Sequence, residues 1–185
     1  MDIALLVAAA LSLILGYSYN SLVARRNEVL NAFATIDAML KQRFDLIPNL
    51  VATVKQSTQF ETSSLEKVIR LRQEAGSGRL DSAQLQRFDQ ESQSALKGVM
   101  LQFEAYPDLK SSQNFVQLQQ SLHAVEEQIA AARRTFNAAV TQYNNAIHMF
   151  PSSIVARMMG LRAESVLAIP DSERANVNVG DLFRG

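Results

Sequence analysis

Phe115, Leu118, Leu122, Val125, Ile129, Ala132, Phe136, Ala139, Tyr143, Ala146 and Phe150 recur in steps that alternate three and four residues. An α-helix turns once in about 3.6 residues, so this spacing sets all of them along a single face. Alternating steps of three and four sustained over five heptads are the seam of a coiled-coil-like bundle. The chain is therefore expected to be all-α, with Ser111 or Ser112 capping this helix and Phe150-Pro151 closing it.

The preceding residues supply the partners. Leu22, Arg26, Val29, Phe33, Ile36 and Leu40 repeat the same steps, with no breaker between Tyr17 and Phe44. Arg26 interrupts this stripe and is expected to snorkel to the rim or to lipid headgroups. Ile47, Leu50, Val51 and Val54 resume it after Asp45 and Pro48, which reads as a tight helix-to-helix reversal with Asp45 capping the new helix. That second helix is expected from Leu46 to about Ala75, polar in its middle from Lys55 to Ser64, and stopped by Gly76-Ser77-Gly78. A third helix, from Asp81 or Ser82 through Leu85, Phe88, Ala95, Leu96, Val99 and Phe103, ends at Tyr106-Pro107-Asp108.

Short connections make successive helices antiparallel neighbours, which predicts an up-down four-helix bundle over residues 20–160 with long coiled-coil-like helices. The turn at Asp45, Pro48 and Asn49 would then share one end with the loop Tyr106, Pro107, Asp108 and Lys110. Residues 161–185 have no sustained period and are expected to form a loosely ordered tail, with Leu167, Ile169, Leu182 and Phe183 as docking residues.

Residues 1–19 read as a transmembrane anchor. Ile3, Leu5, Leu6, Leu11, Leu13, Ile14 and Leu15 lie in an uncharged run that Tyr17 and Tyr19 extend to about 17 residues, the short end of what crosses a bilayer. No cation precedes the run, as one would in a cleaved signal peptide, so an uncleaved single-pass anchor is expected. Arg25 and Arg26 follow it, which by the positive-inside rule leaves the short amino terminus outside and the remaining chain in the cytoplasm. Ala8, Ser12 and Gly16 repeat small residues every four positions, a pattern that lets membrane helices pair and points to a homo-oligomer. On this topology Arg157, Met158, Met159 and Arg162 come near the lipid surface beside Arg25 and Arg26.

The 18 basic and 18 acidic residues cancel, so there is no basic excess to follow nucleic acid, nor a motif of interleaved aromatics and arginines. Cysteine is absent, which removes disulfides and thiolate chemistry. A di-metal helical site needs Glu three residues before each of its histidines, whereas Gln120 precedes His123 and Asn145 precedes His148. With no phosphate loop, nucleophile elbow or zinc motif, no catalytic residue, metal or cofactor is expected.

Tyr19-Asn20-Ser21-Leu22-Val23, Arg26-Asn27, Ile36-Asp37, Leu40-Lys41-Gln42-Arg43, Asp45 to Val51 and Thr53-Val54-Lys55 closely resemble the LemA family of bacterial membrane-anchored proteins. So do Glu104 to Lys110, Leu118-Gln119, Arg133-Arg134, Phe136-Asn137, Tyr143-Asn144 with Ile147, and Phe150-Pro151. The resemblance covers about residues 17 to 160 in register. It implies a bacterial inner-membrane protein with one amino-terminal membrane helix, a four-helix bundle and no established enzymatic activity. A relative takes part in forming magnetosome membranes, which adds membrane organisation as a role by analogy. The chain departs from the usual pattern at Phe33 and Phe136, where tryptophan and tyrosine are expected, and at Ala52, where an acidic residue is expected.

Two functions follow from these features. One is a non-catalytic, membrane-tethered scaffold or adaptor that self-associates and organises the bilayer or a membrane or soluble protein partner. The other is a peptide- or small-ligand-binding module whose site is the membrane-distal pair of loops.

Overall fold

The computed structural model describes residues 2–54, 63–75, 82–103, 106–107 and 112–168. Among these the protein is all-α: α1 is Asp2–Asp45, α2 Ile47–Val54, α3 Ser63–Ala75, α4 Ser82–Gln102, α5 Gln113–His148 and α6 Ser152–Met158.

The seam helix is α5, capped by Ser112, whose Oγ accepts from the Phe115 N–H at 3.3 Å. Its seam is buried, with Leu122 and Ala146 half-buried, except at its end. Phe150 is 80% exposed, because the helix stops at His148.

Antiparallel to α5 runs α1. Arg25 donates to Gln142, the Phe33 and Phe136 rings lie 6.0 Å apart, and Arg43 donates to Glu126 at 2.9 Å. Phe33 and Phe136 thus pack against each other. Leu22, Val29, Ile36 and Leu40 are buried in the seam, while Arg26 is exposed.

The segment around Pro48 differs from its expected form. Residues Leu46, Asn49 and Ala52 border one cavity with Asn114, Leu118 and Ser121. As the chain advances from Phe33 through Arg43 to α2, its partners on α5 recede steadily from Phe136 through Glu126 towards Asn114. The chain therefore kinks and keeps its course; it does not reverse. Proline has no N–H to give the Phe44 carbonyl and its ring crowds that oxygen, which breaks the helical ladder there. The Leu46 carbonyl accepts from Asn49 and Leu50, so α2 is capped one residue after Asp45, which closes α1 as an exposed residue.

Two apolar clusters make the core. Leu22 through Leu40 of α1 join Val125 to Ile147 of α5 and Val155 and Ala156 of α6. Phe44, Ile47 and Leu50 join Val68, Leu71, Phe88, Val99, Phe103 and Phe115, with half-buried Tyr106 against them. The expected polar middle of the second helix, Lys55 to Thr62, and the Gly76–Gly78 stop lie outside the described residues. So do Asp108, Lys110, Ile169, Leu182 and Phe183.

After α6 the chain makes a Schellman cap, in which Leu161 N–H donates to the Ala156 carbonyl, Gly160 N–H to that of Arg157, and Gly160 takes φ 65°. Residues 161–168 are then held against α5 as an extended strap, where a loose tail was expected. Asn137 Nδ2 donates to the Leu167 carbonyl at 2.9 Å and its Oδ1 accepts from the Leu167 N–H at 2.8 Å. Asn144 treats Glu164 the same way, at 2.8 and 3.0 Å, and Tyr143 Oη donates to the Arg162 carbonyl at 3.1 Å.

Candidate functional site

Where α1, α4 and α5 meet, an arginine stands in the apolar seam. Arg43 follows Ile36 by seven residues and Leu40 by three, so helical geometry points it inward, and it is 1% exposed. Its guanidinium donates to Glu126 Oε2 and to Asp89 Oδ1, each at 2.9 Å, and to Ser92 Oγ. Asp89 is shared, for its other oxygen lies 2.7 Å from Arg133 Nη2. Gln93 Nε2 donates to Glu126 Oε1 at 2.8 Å, and Ser92 Oγ donates back to the Asp89 carbonyl at 2.9 Å.

The paired charges of this cluster cancel, which is the condition for keeping them out of water. Arg43, Asp89 and Arg133 are buried, whereas Glu126 is 33% exposed at the rim. Both carboxylates face guanidinium groups, so the cluster is built to hold three helices in register and has no free acid or base.

Beyond Glu126 the cluster opens onto a groove of about 670 Å³ between α4 and α5. Leu96, Met100 and Leu122 supply its apolar wall, and Lys97, His123 and Glu126 its polar edge. His123 is exposed and stands 3.4 Å from Glu127 on the same helix surface. Among the described residues no three His, Cys, Asp or Glu side chains gather as a metal ion would need.

The cluster was legible in the sequence only as an anomaly. Ser92 lies seven residues after Leu85 and three before Ala95, and Arg133 lies four after Ile129, so both are polar residues at seam positions. That spacing is the available signal; nothing in it says that Asp89 and Arg43 would meet.

The residues singled out beforehand fall into three groups. In the first, Ile3 and Leu13 are 79% and 75% exposed while Leu22 is 0%, so the apolar run protrudes from the body. It is long and apolar enough to cross a membrane. Ala8, Ser12 and Gly16 are exposed on it, with Ser12 Oγ donating to the Ala8 carbonyl at 2.9 Å.

In the second group, α6 packs beside Leu22, which brings Arg157, Met158, Met159 and Arg162 to the end of the body from which the apolar run emerges. Arg26, Arg157, Met158 and Arg162 are exposed, Met159 is packed, and half-buried Arg25 pairs with Glu28 at 3.6 Å. Met158 is 82% exposed and Phe150 80%, in company with exposed Met149 and Ile154.

The third group is distal: Asp45, Pro48, Asn49 and Pro107 are exposed and Tyr106 is half-buried. Asn49 borders a cavity of about 320 Å³ against the start of α5, but Asp45, Pro48, Tyr106 and Pro107 do not line it.

Comparison with known proteins supplies one family. The model of the LemA family matches residues 32–180. Protein LemA of Metamycoplasma hominis is 26% identical over 163 residues, which cover 88% of this chain and 74% of that protein.

Proposed function

The chain belongs to the LemA family, and from that premise we propose that it is a membrane-tethered scaffold that self-associates and organises the bilayer or its protein partners. The observation that carries this reading is α1. A single 44-residue helix is lipid-compatible at its start and buried core at its end. The helix is about 66 Å long from end to end, so the lipid-compatible run and the buried core share one rod with no flexible linker between them. A force or contact on the body is transmitted to the anchor.

The family is not a known enzyme family, and the reading is non-catalytic. Arg25 and Arg26 favour the cytoplasmic side of a bacterial inner membrane for the body. Arg157 and Met158 with their apolar neighbours then lie at the headgroups, where cation-flanked apolar side chains bind. Ala8, Ser12 and Gly16 give the anchors a face on which to pair.

The test is cross-linking of the full-length protein in its native membrane, beside a form lacking residues 1–19. The expected result is covalent multimers that need the anchor. Monomers alone, with no neighbour captured, would overturn the reading.

A further inference from the structure

Asn144, Asn137, Ala130, His123 and Val116 follow one another at intervals of seven, which sets them on one line along α5 at a rise of about 10.5 Å per step. The strap runs down the first part of that line, towards the start of α5. Asn144 holds the backbone of Glu164 and Asn137 that of Leu167, three residues on, and three residues of extended chain advance about 10 Å. Seven residues of helix thus match three of strap. At Leu167 and Ala168 the strap borders a small cleft with Ile36, Gln90 and Arg133. Seven residues on along α1 and α4, and seven back along α5, stand Arg43, Lys97 and Glu126, all of which line the groove of about 670 Å³. Cleft and groove are therefore successive stretches of one furrow, and Ala168 stands at the mouth of the open stretch.

We infer that residues 169–176 of the same chain continue the strap into this groove, so that the chain covers its own furrow and a partner reaches it by displacing this segment. The inference stands whether or not copies associate. Register assigns the contacts. Pro170 comes level with Ala130, where a residue with no N–H meets a side chain with no amide and no donor goes unmet. Glu173 comes level with His123, and Asn176 with Val116. On the facing wall Lys97, seven residues after Gln90, comes level with Asp171. Alternate residues of an extended chain share a side, so Ile169, Asp171 and Glu173 fall on the side of buried Leu167. Two acidic side chains are thereby brought to the lysine and the histidine of the groove's edge. The reach agrees as well: eight residues of extended chain span about 26 Å, as do the 17 residues of helix from Arg133 to Val116.

The test exploits the absence of cysteine from the chain. Full-length protein carrying Val116→Cys with Asn176→Cys is oxidised in its membrane, beside a control carrying Gln117→Cys with Asn176→Cys. Both helix positions are exposed, but Gln117 borders the cavity beside Leu46 and Asn49 on another side of α5. Peptide mass spectrometry reads the disulfides. The expected result is a bond within one chain, forming at least tenfold faster from position 116 than from position 117. Lys97→Glu should slow it about threefold, and Asp171→Lys in the same chain should restore the rate, since a reversed pair attracts again. Equal rates at 116 and 117, no disulfide from either, or disulfides that join two chains would overturn the inference.

Discussion

Arg43→Ala would leave the buried Asp89 carboxylate with Arg133 as its one cationic partner and deprive Glu126 of its 2.9 Å partner. Breaking a buried ion pair from one side is expected to destabilise the body by about 3–5 kcal/mol, read as a lower urea midpoint. Arg43→Lys should recover little of this, because an ammonium cannot span Asp89, Ser92 and Glu126 as a planar fork does. Tyr143 makes a pH prediction. Burial is the main cause that raises its phenol above the ordinary 10.0, Glu164 adding to the rise and Arg26 opposing it. The unfolded chain then loses its proton first, so this contribution is intact below about pH 10 and is lost as pH climbs through the native value. Tyr143→Phe should flatten that alkaline decline in a denaturation series. At this scale the apolar seam was readable, because Ile129, Phe136 and Leu22 follow helical spacing and are buried. The charge cluster was not, since pairing of Arg43 with Asp89 depends on how α1 and α4 approach, and no local pattern encodes that.

Helix ends carry the predictions at the next scale. Ser112→Ala removes the acceptor for the Phe115 N–H and should lower stability by about 1 kcal/mol, with the first amides of α5 exchanging faster. Most element positions were legible: α5 starts after Ser112, and α4 starts at Ser82, as their capping residues indicated. The segment at Pro48 was legible as a break but not as an angle. A proline in an apolar stripe announces a lost hydrogen bond, and the same loss serves a reversal or a kink; the apolar face of α2 continuing along α5 decides for the kink. The strap was legible only at Leu167, expected to dock and buried, and its path was hidden for a different reason. Its contacts come from Asn137 and Asn144, polar residues on a helix flank, and a segment held by its backbone leaves no periodic signature in its own side chains.

For the molecule as a whole, the proposed anchoring makes a prediction at the apolar run, which is long and apolar enough to cross a membrane. Leu11→Lys places a charge mid-span, at about 2.5–3.5 kcal/mol on insertion scales, and on a run this short it should shift the protein from the membrane pellet to the soluble fraction. The unbroken α1 also sets a distance. Between Tyr17, taken as the bilayer edge, and Arg43, 26 residues of helix rise about 39 Å. The field of anionic headgroups fades within a Debye length of about 8 Å at physiological salt. With the anchor in a bilayer as proposed, the groove beside Glu126 stands several screening lengths out, and whatever partner meets it arrives from the bulk solution, uninfluenced by lipid charge, although the protein that owns it is tethered.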